Sequence, residues 1–298
     1  MGEVDIQLLK TAVPYIRAYK GATFVIKLGG EICRPGKHLQ NLMEQFSLLY
    51  QLGIKLVVVH GGGPQANDLA DELDVDQEFI NGRRITSPEM LEVAKMSFAG
   101  TVNTDLVAAL NAEQVPAIGI SGIDGGLAKA HRRPEKMVTE AKTGEEEKVD
   151  FGEVADLDGI NPEILHHLLQ GEQVPIVCSL VADKDGNVLN INADTLAAHI
   201  AEALSAKKYC LLSSVDGVMK DVNDPESLLS ELTIEESQQL LEDGSIHGGM
   251  HAKIENCIEV LKRGVPRAHI SNGMKPDAFL KEIFTNEGCG TLLIPERS

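Results

Sequence analysis

Short apolar runs alternate with amphipathic segments along most of the chain. The first run, at residues 23–28, is followed by apolar positions at helical spacing over 38–52. A second run at 54–60 leads into another helical pattern from about residue 64. Short, continuous apolar strands separated by amphipathic helices are typical of a parallel sheet that is covered on both faces. The pattern therefore predicts an α/β fold with a mainly parallel central sheet.

Local start signals add further elements. Residues 5–18 have helical spacing with Pro14 inside, which predicts a kinked N-terminal arm. The pair Asn81 and Gly82 predicts a hairpin turn, and Ser87 followed by proline predicts the start of a helix. Further strands are predicted at 115–120, 174–180, 208–213, 267–271 and 290–294, and further helices at 161–169, 193–205, 233–242, about 250–263 and 276–284.

The chain has no obvious linker. Residues 131–150 are its most polar part and predict a solvated loop or an exposed hairpin rather than a binding segment. A change of pattern near residues 190–205 is the best candidate for a boundary between two parts of the chain.

Charge and composition restrict the possible partners. The 298 residues have a formal net charge of −18, which disfavours nucleic acid and anionic membranes as partners. No apolar run approaches the roughly 18 to 20 residues of a membrane span, and the acidic N-terminus does not resemble a signal peptide, so a cytoplasmic protein is expected. The five cysteines are scattered without a CxxC pair and predict neither a disulfide framework nor a zinc site. Because the net charge is strongly negative, any bound phosphate needs a local positive site.

Two successive strands are predicted to end in glycine clusters, at Lys27–Gly30 and at His60–Pro64. In a parallel sheet both loops leave from the carboxyl edge, where ligands of open α/β folds bind. Glycines allow backbone amides to approach a ligand, and a helix that begins after each loop points its N–H groups at the same place. One cluster alone is better explained by a tight turn. Two neighbouring clusters beside Lys27 favour a polyphosphate site.

Residues 61–66 also satisfy the GxGxxG/A pattern of dinucleotide-binding proteins. The match is weak, because Pro64 lies inside it and the segment after the helix has the pattern of a hairpin rather than of a second core strand. An oxidoreductase that uses a dinucleotide such as NAD is therefore disfavoured. The absence of GxxxxGK[ST] also disfavours a P-loop kinase.

Four polar residues complete a possible phosphoryl-transfer site. Asp194 lies in the first turn of a predicted helix, where it either acts in catalysis or only caps the helix. Lys253 follows two glycines at the start of another helix and opposes the helix dipole unless an anion is bound; an exposed lysine is the simpler interpretation. Arg84 and Asn190 have the donors to hold a carboxylate-bearing acceptor, although Arg84 could equally form a structural salt bridge. Two lysines, an aspartate and glycine-lined helix starts suit phosphoryl transfer.

The ordered series KLGGE, VVVHGGGPQ, NGRRIT, ISGIDGG, LNINADT, GGMHAK and EIFTNEGCGT resembles the N-acetylglutamate kinases of the amino acid kinase family over about residues 5–297. The resemblance implies an open three-layer αβα sandwich of two lobes. The N-terminal lobe, residues 1–205, would bind the acyl amino acid and contain the oligomerisation arm, and the C-terminal lobe, residues 206–298, would bind ATP with Mg²⁺. It implies transfer of phosphate to the side-chain carboxylate of N-acetyl-L-glutamate, giving an acyl phosphate of arginine biosynthesis.

The resemblance also implies residue roles. The implied catalytic residues are Lys27, Asp194 and Lys253; the substrate-binding residues are Gly29, Gly30, Gly61, Gly62, Arg84 and Asn190; and the nucleotide-binding residues are Ser213, Ser214 and Gly249 together with the two lysines. No protein metal ligand is implied. This chain departs from the family pattern at Ser214, where many members have aspartate, and at Ile123 and Thr104, where basic residues are common.

The N-terminal arm and the ending around Glu282, Gly288 and Gly290 resemble those of arginine-inhibited hexameric members. They imply an arginine effector and a homo-oligomer, either a hexamer or a dimer. A second hypothesis is the kinase-like domain of N-acetylglutamate synthase, a regulatory module that binds arginine without phosphorylating a substrate. Both lysines and Asp194 favour the active kinase, as does the lack of the roughly 140 further residues that an acetyltransferase domain would need.

Overall fold

A computed structural model of the chain describes residues 6–139, 146–221, 224–246, 248–285 and 288–297. The helices are α1 (Ile6–Tyr19), α2 (Lys37–Gln51), α3 (Gly63–Glu72), α4 (Pro88–Ala94), α5 (Asn103–Ala112), α6 (Glu163–Gln170), α7 (Ala193–Ala203), α8 (Ile234–Glu242), α9 (Gly248–Lys262) and α10 (Ala278–Phe284). The strands are β1 (Thr23–Leu28), β2 (Lys55–His60), β3 (Glu78–Ile80), β4 (Arg83–Ile85), β5 (Ala117–Ser121), β6 (Ala128–Arg132), β7 (Lys136–Thr139), β8 (Glu146–Val149), β9 (Ala155–Ile160), β10 (Val174–Cys178), β11 (Leu180–Ala182), β12 (Val188–Asn190), β13 (Lys208–Ser213), β14 (Glu231–Thr233), β15 (Ala268–Asn272) and β16 (Thr291–Ile294).

An eight-stranded sheet in the order β14-β16-β15-β13-β1-β2-β10-β5 forms the centre of the molecule. Its strand pairs are parallel except for β15 with β16, which is antiparallel. The predicted mainly parallel sheet is confirmed. Because β1 and β2 are neighbours, their carboxyl ends, and the glycine loops that follow, leave the same edge side by side.

Alternate residues of β1 face opposite layers of helices. Phe24, Ile26 and Leu28 are buried in one apolar cluster with residues of α2, α5 and α10, and Val25 is buried in another with residues of α6, α7 and α9. The predicted αβα layering is confirmed. Side chains alternate along a strand, so Lys27 lies on the same face as Val25, towards α7 and α9. This alternation places the lysine on the side of the sheet where Asp194 and Lys253 begin their helices.

The local predictions are largely confirmed. The hairpin β3–β4 turns at Asn81 and Gly82, Ser87 caps α4 by accepting a hydrogen bond from Met90 N, and α1 contains Pro14. Within the polar segment, β7 and β8 pair antiparallel and are largely exposed, which agrees with the predicted exposed hairpin. The strand expected at 174–180 is wrong in its extent, because β10 ends at Cys178 and the next strand pairs with β12 instead of the central sheet.

The two halves of the chain share the central sheet. β1, β2, β5 and β10 precede residue 206 and β13–β16 follow it, and the chain passes from one set to the other between α7 and β13. The division at 205/206 falls in this connection and stays a prediction, as does association into a homo-oligomer. None of the helices in the described ranges is both long enough and apolar enough to cross a membrane.

Candidate active site

The two glycine loops pack directly against each other. A Cβ atom on Gly30 would lie 2.4 Å from Cδ of Pro64, the second residue of α3. A Cβ atom on Gly62 would lie 2.7 Å from Cδ1 of Phe98. Since Gly62 has an extended backbone with φ of 165°, it is close packing, and not an unusual conformation, that requires glycine here. Tight packing thus explains part of the pattern that predicted a phosphate site.

Side-chain hydrogen bonds hold both loops in place. Gln65 Nε2 donates to Gly30 O at 2.8 Å and joins the second loop to the first. His60 is completely buried, and burial lowers its pKa to about 4, so the ring is neutral near pH 7. Its Nδ1 donates to Gly61 O at 2.6 Å, and its Nε2 accepts from Asn103 Nδ2 at 2.9 Å. The sequence analysis missed these three residues, because their partners are distant in the chain or lie in the backbone.

The glycine N–H groups differ in what they can offer a ligand. Gly29 N already donates to Leu212 O at 2.9 Å. Within the described ranges, the N–H groups of Gly61 and Gly62 have no acceptor. They belong to the loop before α3, where unpaired N–H groups and the positive end of the helix dipole favour an anion.

Lys27 and Asp194 form an ion pair at this edge of the sheet. Lys27 Nζ lies 2.6 Å from Asp194 Oδ1, and the two side chains are 14% and 26% exposed. Asp194 lies in the first turn of α7, but the capping residue is Asn192, whose Oδ1 accepts a hydrogen bond from Thr195 N at 3.0 Å. The interpretation of Asp194 as a simple cap is therefore wrong. Its carboxylate is left to pair with Lys27.

Lys253 lies close enough to this pair for their charges to interact. Burial, together with the positive charge of Lys27, lowers the pKa of Lys253, while Asp194 opposes the shift. Lys253 Nζ donates to Gly249 O, in the first turn of the same helix, at 3.2 Å. Lys27 and Lys253 thus lie within electrostatic range of each other, although they are far apart in the sequence. The Asp194 carboxylate is paired with Lys27, and the amino group of Lys253 is bonded within α9.

A cleft of about 400 Å³ extends from this centre towards the β3–β4 hairpin. Its lining includes Gly61, Gly62, Arg84, Asn190 and Asp194. Residues of α9 form the opposite wall. The structure therefore brings four of the six substrate-binding residues implied by the resemblance into one cleft with Asp194, whereas Gly29 and Gly30 are not among its lining residues.

Arg84 enters the cleft without a carboxylate partner. Its guanidinium donates to Asn67 Oδ1 and, at 3.1 Å, to Gln77 Oε1, and it lies 4.7 Å above the centre of the Phe79 ring. No ion pair in the described part of the chain includes it, so the salt-bridge interpretation is wrong. Burial lowers the pKa of Arg84. A half-buried cation held only by neutral groups is suited to an anionic ligand.

Asn190 lies at the end of β12, where Nδ2 donates to Thr86 Oγ1 at 3.2 Å. Thr86 follows the β3–β4 hairpin directly and is completely buried. This bond ties the strand of Asn190 to the hairpin that contains Arg84. The two residues are 106 positions apart in the sequence but line the same cleft.

The residues implied in nucleotide binding differ in their exposure to solvent. Ser213 ends β13, is 6% exposed, and has an Oγ atom without a partner in the described part of the structure. A Cβ atom on Gly29 would lie 3.6 Å from its Cα, so Ser213 adjoins the first glycine loop. Ser214 and Gly249 are both exposed. An unpaired buried hydroxyl costs free energy, and a bound ligand would satisfy it.

Glu282, Gly288 and Gly290 come together at a second site. Glu282 is buried, and its Oε2 accepts from Gly290 N at 2.8 Å; a Cβ atom on Gly288 would lie 2.7 Å from the same oxygen. The other carboxylate oxygen accepts from His269 Nδ1 at 2.7 Å, and His269 Nε2 accepts from Lys208 Nζ at 3.0 Å. A cavity of about 430 Å³ adjoins this cluster, and its lining includes Tyr15, Tyr19, Lys208, His269 and Glu282.

Electrostatics in the second cavity are dominated by burial. Burial lowers the pKa of Lys208 to about 8 and that of His269 to about 4. Burial pushes the pKa of Glu282 upward, but hydrogen bonds from His269 and from backbone N–H groups outweigh it, and the pKa is lowered. Lys208 was missed by the sequence analysis, although a lysine at the start of an otherwise apolar strand was a signal for it.

Comparisons with known proteins agree with this geometry. The sequence model described as "Amino acid kinase family" matches residues 22–272. The acetylglutamate kinase of Myxococcus xanthus (strain DK1622) is 42% identical over 97% of this chain and 94% of its own length, and that of Halothermothrix orenii is 40% identical over 98% and 97%. The solved N-acetylglutamate synthase from Neisseria gonorrhoeae, complexed with coenzyme A and N-acetyl-glutamate, is 26% identical with a TM-score of 0.82. That match covers 99% of this chain and 65% of the synthase chain, just under two thirds of its length.

Proposed function

The chain belongs to the amino acid kinase family, and we propose that it transfers the γ-phosphoryl group of ATP to the side-chain carboxylate of N-acetyl-L-glutamate. Relatives about 40% identical over nearly the whole chain are acetylglutamate kinases. The observation that carries the proposal is the ion pair of Lys27 and Asp194, with Lys253 within electrostatic range. Asp194 lines a cleft that also contains Arg84, which has no carboxylate partner in the described part of the chain.

The reaction follows from these charges. A carboxylate oxygen of the acceptor attacks the γ-phosphorus, the bond from phosphorus to the β,γ-bridging oxygen breaks, and ADP leaves with its electron pair. The products are an acyl phosphate and ADP. Because the acceptor carboxylate is already ionised near neutral pH, the protein need not supply a general base. Lys27 and Lys253 stabilise the negative charge of the transferred group, and Asp194 holds Lys27 in position through their 2.6 Å contact.

Arg84 and Asn190 bind the α-carboxylate of the acceptor in this proposal. A guanidinium provides a planar pair of donors that matches a carboxylate, and the amide of Asn190, at the end of β12, adds a further donor. Gly61 and Gly62, whose N–H groups have no acceptor in the described ranges, line the same cleft as Asp194. In this proposal the side-chain carboxylate of the acceptor points towards Lys27 and its α-carboxylate towards the hairpin.

The residues after 205 hold the nucleotide in this proposal. The unpartnered Ser213 hydroxyl and the N-terminus of α9 around Gly249 are suited to phosphate oxygens, which supports a nucleotide-binding C-terminal lobe beside an acceptor-binding N-terminal lobe. Within the described residues no three His, Cys, Asp or Glu side chains gather as a metal site. Mg²⁺ would therefore be held mainly by phosphate oxygens and water, and it would supply further positive charge to the phosphates.

A coupled assay of ADP release tests the proposal. With Mg²⁺ and ATP present, saturable turnover is expected with N-acetyl-L-glutamate, and little or none with glutamate, aspartate or aminoadipate. The synthase likeness supports a second candidate, a module that binds arginine without phosphorylating a substrate. No turnover with any acceptor, combined with calorimetric binding of arginine but not of MgATP, would establish that candidate instead.

We also propose that L-arginine inhibits this enzyme from the cavity at Glu282. The cavity is lined by two cations, Lys208 and Arg267, and by the carboxylates of Glu282 and of Glu231, which pairs with Arg297 at 3.2 Å. Groups of both signs suit a ligand that has a carboxylate and cationic groups. The aromatic rings of Tyr15 and Tyr19 come from α1, so a ligand there would contact the N-terminal arm as well as the C-terminal half. The family resemblance of this region supports the same assignment.

Replacing Glu282 by glutamine is expected to raise the arginine concentration for half-inhibition at least tenfold, with kcat in the absence of arginine unchanged. The change keeps the size of the side chain but removes its negative charge, and a buried charge-assisted hydrogen bond to a cationic ligand contributes roughly 1.5 to 3 kcal/mol. Inhibition curves of the variant and of Glu235→Gln, an exposed carboxylate on α8, measure the effect. Equal inhibition of all three proteins would remove Glu282 from the effector site.

A further inference from the structure

The position of α9 relative to the rest of the active centre needs an explanation. Lys253 contributes its charge from this helix, but its amino group is bonded to Gly249 of the same helix. The ion pair of Lys27 and Asp194 belongs to β1 and α7. Apolar side chains of α7 and α9 pack in one cluster, but such packing is not directional, so a hydrogen bond between these elements would define their distance more closely.

Asn256 provides a direct polar link between these elements. It lies three residues after Lys253, on the same face of α9, and it is 7% exposed. Its Nδ2 donates to the backbone oxygen of Asp194 at 3.1 Å, and its Oδ1 accepts from the Tyr209 hydroxyl at 2.7 Å. One side chain thus connects α9 with the first turn of α7 and with β13.

The partners of Asn256 fix the orientation of its amide. The backbone oxygen of Asp194 can only accept, so the NH₂ group must face it and Oδ1 must face Tyr209. Tyr209 must then donate its proton, and burial raises its pKa well above the usual value, so the hydroxyl stays protonated. Asn256 therefore has one defined orientation and cannot rotate without leaving buried polar atoms unpaired.

We propose that Asn256, held by the hydroxyl of Tyr209, is a positioning residue that sets the distance between Lys253 and the Lys27–Asp194 pair. Asn256 also lines the active-site cleft, which places the link at the centre rather than on a remote face of the helix. A misplacement of about 1 Å in a reacting group can cost roughly 100-fold in rate. The inference rests on the proposed kinase activity and adds a role for two residues outside its charged groups.

A purely structural role is the competing explanation, since any paired buried polar group stabilises the fold. Two single variants and their combination separate the two explanations. Tyr209→Phe leaves Oδ1 of Asn256 unpaired, and Asn256→Leu leaves the Tyr209 hydroxyl unpaired, so both single variants are expected to melt at lower temperature than the parent protein. The double variant has neither of these two orphans, and replacing both partners of a hydrogen bond by apolar groups of similar shape can be nearly neutral for stability. The loss of the donor to Asp194 O is common to Asn256→Leu and the double variant.

The decisive measurement is kcat of the double variant. We expect its melting temperature to return towards the parent value while kcat stays roughly 10- to 100-fold lower and KM for N-acetyl-L-glutamate changes less than about threefold. Gln45→Leu is the control, because Gln45 is a buried residue that links α2 to α10 through Leu280 N, away from the cleft. It should lower the melting temperature and leave kcat unchanged.

Two outcomes would overturn the inference. A double variant with the kcat of the parent protein would show that the link is only structural, and so would a loss of kcat in Gln45→Leu of the same size. Absence of turnover in the parent protein with every acceptor would instead contradict the proposed function, and the two failures are thereby distinguished.

Discussion

Replacing Lys253 by methionine is expected to lower kcat about 1,000-fold or more while the protein remains folded. A cation that contacts the transferred phosphoryl group stabilises charge that develops mainly in the transition state, and comparable groups in phosphoryl-transfer enzymes contribute roughly 10³ to 10⁵ in rate. Methionine retains most of the aliphatic length without the charge. Steady-state rates of ADP release and a circular dichroism melt measure the two effects.

Lys262→Met is the matched control, because Lys262 lies in the last turn of the same helix and is exposed. Its rate should equal that of the parent protein.

The pH dependence provides a second check. Burial and the charge of Lys27 lower the pKa of Lys253, so kcat/KM should decline on the alkaline side at a lower pH than an ordinary lysine would give. Undiminished turnover in Lys253→Met would show that the role assigned to α9 is wrong.

Asp194→Asn is expected to lower kcat about 100-fold, the second-largest effect. The amide no longer attracts Lys27 as an ion, so the ammonium loses the contact at 2.6 Å that orients it. KM for N-acetyl-L-glutamate should change little, since Arg84 and Asn190 are the residues proposed to bind the other end of the acceptor. Initial rates over a range of both substrates separate kcat from KM.

The control for Asp194 is Glu163→Gln, which also removes a carboxylate from the first turn of a helix, at an exposed position on α6. Loss of a charge–dipole interaction alone costs roughly 0.3 to 1 kcal/mol of stability and no activity. A similar fall in kcat in both variants would mean that Asp194 matters only for helix stability.

Much of this architecture could be predicted from local patterns. The apolar runs of β1, β2 and β13 and the helical spacing of α2 specify their own burial, since a side chain's neighbours along the chain determine which face it shares. Asp194 and Lys253 could be singled out because a charge in the first turn of a helix is either favoured or opposed by the dipole. These signals extend over a few residues and need no knowledge of the fold.

The parts that could not be predicted depend on contacts between distant segments. Nothing near Asn256 in the sequence indicates that its partners are Tyr209 and the backbone of Asp194, which lie 47 and 62 residues away. His60 is similar, because its neutral state follows from complete burial beside Asn103. The glycine at position 62 indicated the correct region for the site. Its reason, close packing against Phe98, depends on how the π-helical segment Lys95–Val102 packs beside α3 and has no signal in the local sequence.

The strand β13 extends from the cavity of Glu282 to the first glycine loop. Lys208 begins this strand at the cavity of Glu282, and Ser213 ends it beside the first glycine loop, about 17 Å away at roughly 3.3 Å per residue. Tyr209, which holds Asn256, is the neighbour of Lys208. The strand lies between β1 and β15 and is hydrogen-bonded on both sides, so it behaves as a stiff rod without a hinge. Lys208 and Ser213 are therefore kept at a fixed separation by the sheet.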